Sequence, residues 1–489
     1  MSRAGLHLRF FRVCGRAACV VIAVALVAGC AAPASYRKPS QEMPVSWQLE
    51  APWRTSAPSD SAAKGPWWER FGDPQLNALE QQALAANQTL AAAGARLAQA
   101  HATVALSNAS LFPQLSLGLR AARQKISADR PLTNYATKNF STVQNDFQAN
   151  LAVSYEVDLA GRVQSVIDGA AASAEQTAAD LENTRLVLTA DLATNYFALR
   201  ALDAELDVLA RSIALQGRSL KLATDRHDLG ATSGLDVAQQ QALLDSTLVQ
   251  IDILRRQRGQ FEHAIAALGG TPAPLFKLPP QTVALVAPVI ALGIPSDVLE
   301  RRPDVASAER AMAAANAQIG AANAAFYPSI ILGPSLGVDS RSLSTLFDAP
   351  SLLWSLGVST AQTLFDAGRR DATLDFARAG YDLTVANYRR TVLTAMQEVE
   401  DGITGLTALD RAYEQAQRAT LSAGKVLQLA NDRYEGGVAT YLDVITAQQS
   451  QLGTERQVVQ LQGQRMLTSV FLVKALGGDW RSVAKVASK

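Results

Sequence analysis

Two periodicities divide this 489-residue chain. Through most of it apolar residues return every three or four positions, the spacing of one face of an α-helix. From Arg162 to about Leu229 no proline interrupts the pattern, and about 68 residues at 1.5 Å each make roughly 100 Å of helix. Leu199, Leu202, Leu206, Leu209 and Ile213 step along it as a coiled-coil seam. Arg369 to about Gly436 is its equivalent, with Leu393, Met396, Ile403, Leu406, Leu409 and Tyr413 on the seam. Shorter helices return over Leu235 to about Leu268 and Leu442 to about Leu476.

Between Pro113 and Gly161, and again between Pro328 and Gly368, the period changes to two. Leu115, Leu117, Leu119 and Ala121 alternate with Gln114, Ser116, Gly118 and Arg120, and Phe147 to Tyr155 continues the same way. Ile330, Leu332, Leu336 and Val338 form a third such set, and Leu352, Trp354, Leu356 and Val358 a fourth. These are four strands in two hairpins, each about ten residues long, the length that crosses a bilayer at a tilt. A soluble sandwich alternates too, so the pattern alone leaves both open. In lipid, four strands would leave two edges of unpaired backbone, and only a closed barrel is viable. Two copies of the chain would give a narrow filled barrel; three would give about twelve strands and room for a channel.

The order of elements recurs. At a shift of about 215, Val104, Asn108, Ala109, Phe112 and Pro113 fall on Ile319, Asn323, Ala324, Tyr327 and Pro328. At about 207, Gly161-Arg162 falls on Gly368-Arg369, Asp168 on Asp375, Gly217 on Gly424 and Asp225-Arg226 on Asp432-Arg433. The expected organisation is a signal peptide over 1–29, a lipid-anchored extended tether over 30–72 and a first repeat over 73–270. A connector over 271–295, a second repeat over 296–478 and a tail over 479–489 complete it. The hairpins of strands fall at about 114–157 and 329–364, and the tips of the helical hairpins at about 229–235 and 436–442.

Each tip is a short break between helices. Gly230 and Gly437 stand where a helix ends in a left-handed residue, and Ser233 and Thr440 can cap the next one. Asp236 and Asp443 follow those caps by three residues, the spacing of a capping box.

Composition adds an address. Arg3, Arg9, Arg12 and Arg16 precede the apolar run Cys19–Val27, a secretory signal too short to be a comfortable membrane span. It ends in Leu26-Val27-Ala28-Gly29-Cys30, which looks like a bacterial lipobox and implies a lipid on Cys30. No Asp follows that Cys, so the outer membrane is the expected destination. Cys14 and Cys19 leave with the signal, and one remaining Cys forms no internal disulfide. A net charge of +1 suggests no nucleic-acid partner. His7, His101, His227 and His263 lack metal-ligand spacing, and no phosphate loop or nucleophile elbow is present, so neither a cofactor nor an enzyme is expected. Asp203, Glu205, Glu398, Glu400 and Asp401 lie in helical runs, as solvated or helix-contacting carboxylates do.

Together, Trp67-Trp68 to Leu76, Asp158 to Arg162, Leu299 to Val305, Ala325-Phe326-Tyr327-Pro328, Phe365 to Arg369 and the two tips span nearly the whole mature chain in order. In these residues the chain resembles the TolC-like outer-membrane efflux proteins, within them the lipoprotein channels paired with inner-membrane multidrug pumps of the RND type. The resemblance implies a mixed α and β membrane protein: a homotrimer whose twelve-stranded β-barrel in outer-membrane lipid continues into a periplasmic α-barrel of twelve helices. It implies a passive exit duct for drugs or other small toxic compounds, docked to a pump by a periplasmic adaptor, or membrane fusion, protein. Asp443 matches a pore-facing acidic position, and Asp236 is its counterpart in the other tip. Tyr434, beside Arg433, matches a residue that latches the closed mouth, while Thr446 stands where some members have a second acid. Gly230 with Ala231, and Gly437 with Val438, match grooves that adaptor hairpins meet. A duct for type I protein secretion and a non-conducting periplasmic tether are the alternatives.

Overall fold

The computed structural model describes residues 65–127, 142–282, 286–288, 290 and 301–478. Cys30, the signal and the tail fall outside them. The chain divides into two units. Among the described residues, one comprises those within Ala98–Glu175 and Glu309–Ala386; the other comprises those within 65–97, 176–308 and 387–478.

The first unit carries the strands: β1 (Gln114–Ile126), β2 (Thr142–Val157), β3 (Ser329–Leu332), β4 (Ser335–Ser340), β5 (Leu352–Ser355) and β6 (Val358–Ala361). Two of the strands read as continuous in the sequence are each interrupted, at Gly333-Pro334 and at Leu356-Gly357. Proline has no N–H to give the ladder, which breaks it there. Pairing resumes across the gaps through Val153 N–H to Pro334 O and Gly333 N–H to Gly357 O, both 2.9 Å. The sheet therefore has four antiparallel rows, β1, β2, β3 with β4, and β5 with β6.

Register fixes its faces. Leu117 lies opposite Leu151, Leu151 opposite Leu336, and Leu336 opposite Trp354, an apolar row across all four strands. Leu119, Ala149, Val338 and Leu352 make the next row. On the other face Ser116, Ala152, Ser335 and Ser355 align, and the Ser335 and Ser355 hydroxyls share a 2.8 Å hydrogen bond. Among the described residues no layer covers the apolar face: Leu117 is 67% exposed and Trp354 73%. Gly337 allows the closest backbone approach, since a Cβ there would lie 2.5 Å from Ala149 O.

Each hairpin of strands turns into a long helix at a left-handed glycine, Gly161 at φ +71° and Gly368 at φ +84°. Asp158 accepts from Gln164 N–H, and Asp366 from Gly368 and Arg370 N–H, so the acid of each turn satisfies helix-start donors. In the same unit α3 (Arg162–Asp228) and α5 (Pro303–Ala324) meet through small residues, with a Cβ on Gly169 falling 3.4 Å from Ala317 Cβ.

The second unit holds α1 (Pro74–Ala86), most of α3, α4 (Gly234–Leu268), and the greater part of α6 (Arg369–Glu435) with α7 (Tyr441–Ala475). The remaining helix, α2 (Gln88–Ala109), begins here. Asp73 caps α1, accepting from Gln75 and Leu76 N–H at 2.9 and 3.2 Å, and Tyr196 donates to its other oxygen. Trp67, Trp68, Leu76, Tyr196, Phe197 and Leu199 are buried in one core with Ile403, Leu406 and Leu472. Leu278 and Ile290 of the connector join that core.

The α3 seam packs as its spacing predicts, with Leu199 and Leu209 fully buried. On α6 the expectation for Leu393 fails: it is 57% exposed, while Val392, Ala395 and Val399 are buried. The seam runs through 392, 396, 399, 403 and 406, and one position of error turns a side chain about 100° away from it. Asp203 and Glu205 are helix contacts, not solvated groups. Asp203 accepts from Arg200 and Arg258, and Glu205 from Arg456 and Gln460.

The hairpin tips as candidate functional site

Both long helices are 67 residues and both return helices 35. At each tip the chain reverses through one motif. Ala231 N–H bonds Arg226 O and Gly230 N–H bonds His227 O; Val438 to Arg433 and Gly437 to Tyr434 repeat this. This pair of bonds closes a helix C-terminus around a left-handed residue, and Gly230 and Gly437 both have φ +74°.

The starts of the return helices differ. Asp443 Oδ2 accepts from both Thr440 N–H and Thr440 Oγ1 at 3.0 Å, so the capping box forms there. At the first tip Ser233 caps Leu235 N–H at 3.1 Å, but Asp236 accepts from Thr232 Oγ1 instead of returning to the cap. Threonine one residue earlier supplies a competing donor, so the box expected at Ser233 and Asp236 does not close. Asp443 is exposed and Asp236 half-buried. Thr446 donates to Leu442 O, one turn back.

Between the tips the two hairpins meet. The rings of Tyr434 and Tyr441 lie 5.0 Å apart at 54°, and the Arg226 guanidinium sits over Tyr434. Tyr441 donates to Gln240 Oε1 at 2.9 Å, and Gln240 in turn donates to Gln216 O. Ala223, Leu243, Val444 and Ile445 bury the contact. Burial, then the neighbouring Tyr434 and Asp236 charges, push the Tyr441 hydroxyl up to about 12, so it stays a proton donor at neutral pH. Arg433, exposed, reaches back to Val438 O. Gly230, Ala231, Gly437 and Val438 are exposed, with Leu229, Leu235 and Leu442 beside them, an apolar rim on each turn.

The resemblance singled out Tyr434 as a latch but gave no role to Arg226, Gln240 or Tyr441. A signal existed: at a shift of 207, Tyr434, Tyr441 and Gln240 correspond to His227, Gly234 and Ala447. Apart from Arg226, which falls on the identical Arg433, the polar and aromatic partners of the contact stand where the two halves differ. Among the described residues no cluster of His, Cys, Asp and Glu could hold a metal ion.

Among the described residues, one unit carries a sheet whose apolar face is uncovered, and the other carries paired helical hairpins with exposed tips. The sequence pattern of the outer membrane efflux protein family matches residues 79–271 and again 294–478. The chain belongs to that family. It is thus an outer-membrane efflux protein and not an enzyme. It is 31% identical over 448 residues to the pyoverdine export outer membrane protein OpmQ of Pseudomonas aeruginosa, covering 91% of this chain and 94% of that protein. The toluene efflux pump outer membrane protein TtgF of Pseudomonas putida is 33% identical, with 95% and 97% covered. The open-state crystal structure of the Neisseria gonorrhoeae MtrE outer membrane channel superposes with a TM-score of 0.80 at 27% identity, covering 92% of this chain and 98% of that one.

Proposed function

We propose that three copies of the chain form a passive exit duct, their sheets closing into one β-barrel of about twelve strands and their helices into an α-barrel. The observation that carries this is the open sheet. Among the described residues its outer edges, β1 and β5 with β6, are unpaired, and its apolar face is bare. Hydrocarbon tolerates the bare face but not the bare edges, so closure must come from neighbouring copies. Counting outward, β1 and the β5–β6 row run antiparallel, so one copy's β1 can pair with the next copy's β5 and β6 without breaking the alternation. The equal helix lengths and the doubled family match support an internal duplication.

In this assembly the tips form the periplasmic mouth. Asp443, the exposed acid, forms the principal ring, with Asp236 behind it, and Arg433 and Tyr434 hold the turns. Gly230, Ala231, Gly437 and Val438 present the surface for a periplasmic adaptor, which links the duct to an inner-membrane pump of the RND type. A lipid on Cys30 tethers the chain to the outer membrane. The cargo is a small toxic or exported compound, in keeping with relatives named for pyoverdine and for toluene.

Native mass spectrometry and planar-bilayer recording test this together. A trimer that conducts is the expected result. A trimer without current would make the chain a structural tether, and a monomer in lipid would refute closure by three copies. Export of a polypeptide, and not of small compounds, by cells carrying the chain would assign it to protein secretion.

A further inference from the structure

We propose that the outward face of the β1–β2 hairpin binds phosphate groups of outer-leaflet lipid through Arg123 and Lys125. The inference rests on the membrane-spanning sheet proposed above.

The helix-connected ends of all four rows lie at one end of the sheet, so the far end of β1 and the start of β2 face the outer leaflet. Side chains alternate between faces, and register assigns each residue to one. The outward face carries Leu115, Leu117, Leu119 and Ala121 on β1, opposite Val153, Leu151, Ala149 and Phe147 on β2. The same face next carries Arg123, opposite Asn145, and Lys125, opposite Val143. Each stands about 7 Å further along the strand than the residue two before it.

These are the only charged residues on that face among the described strand residues. The sheet's other charges, Arg120, Asp146, Glu156 and Asp339, have the opposite parity and point inward. Both cations are exposed, and among the described residues neither has a carboxylate in ion-pair range. A solvated rim would mix both signs. Here an apolar band ends and an unbalanced pair of cations begins, at the depth where acyl chains give way to headgroups. Arg123 offers a planar fork that fits phosphate oxygens, and Lys125 a point charge one rung beyond. The occupant of complementary charge at this height is a phosphorylated lipid.

The test uses the full chain in lipid nanodiscs containing diphosphorylated lipid A or its dephosphorylated form, with retained lipid counted by native mass spectrometry. The expected result is retention of the phosphorylated lipid about tenfold above the other, lost in R123Q/K125Q and kept in R120Q. Equal retention of the two lipids by the unmodified chain overturns the proposal, as does an undiminished preference in R123Q/K125Q. Carbonate extraction of a chain secreted behind a non-lipoprotein signal and lacking Cys30, so that no lipid holds it, separates the two readings. A chain that washes out refutes the spanning sheet itself, whereas an integrated chain with no phosphate preference refutes only the lipid site.

Discussion

The Arg226 guanidinium carbon lies 5.4 Å from the centre of the Tyr434 ring, joining α3 of one hairpin to α6 of the other at their tips. A cation over an aromatic face at this range contributes about 0.5–1 kcal/mol where exposed and more where desolvated. Arg226→Ala and Tyr434→Phe therefore have opposite expectations. Removing the cation frees the hairpins and raises single-channel conductance or open probability, while Tyr434→Phe keeps the ring and leaves both near the starting value. A double-mutant cycle with Tyr434→Ala should show non-additivity of about 0.5–1 kcal/mol in the opening equilibrium. Additive effects would mean that the two residues act separately.

The two acids of the tips are not equivalent, because only Asp443 is exposed while holding its cap. If the proposed ring forms, Asp443→Asn is expected to weaken block of the channel by multivalent cations, since the ring would lose its negative charges. Asp236→Asn, half-buried and held by Thr232, should change block less. Asparagine is itself a good partner in caps, so folding should survive both changes. Equal block in all three proteins would confine Asp443 to capping the helix.

Much of this was legible in the sequence, and its limits have physical causes. Period two assigned the apolar residues of the strands to one face because strand geometry is local, and the cap residues of the tips are local as well. Leu393 was misplaced because a seam of threes and fours tolerates a shift of one position, and only packing decides it. The Asp203 network was out of reach because its partners, Arg258 and the Gln281 backbone, are far along the chain. The Ser233–Asp236 box failed to close because Thr232 competes, a difference of one hydroxyl between two nearly matching turns.

Glu80 on α1 is fully buried, and neither carboxyl oxygen has a hydrogen-bond partner. Burial pushes its pKa from 4.5 up to about 9, so it is a neutral acid at physiological pH. The unfolded chain loses this proton near 4.5 and the folded chain near 9. Below the lower value Glu80 carries no ionisation penalty. Between the two values folding stability falls as pH rises, by about 1.4 kcal/mol per unit for this one group, and above the upper value the loss is complete. Glu80→Gln removes the titration. Thermal melts in detergent should show the variant equal to the parent at pH 4 and more stable at pH 8, the gap widening steadily between. A constant gap across that range would show that Glu80 does not titrate differently on folding.

Gly463 on α7 lets the two hairpins approach closely within the second unit. A Cβ built there would lie 2.6 Å from Ala201 Cβ on α3, inside the contact distance of two carbons. Both residues sit mid-helix, so the backbone cannot yield without shifting a whole helix against the core that holds Leu199 and Met466. Gly463→Ala raises helix propensity by about 1 kcal/mol, yet overpacking a tight contact costs about 1–3 kcal/mol. The second effect is expected to win, and the variant should melt earlier than the parent. Ala201→Gly on the same chain vacates the space that the new methyl needs. The double variant should therefore recover stability relative to Gly463→Ala, even though glycine in α3 is itself unfavourable. Failure of Ala201→Gly to rescue would locate the strain elsewhere along α7, and a Gly463→Ala chain more stable than the parent would show that the helices can separate at little cost.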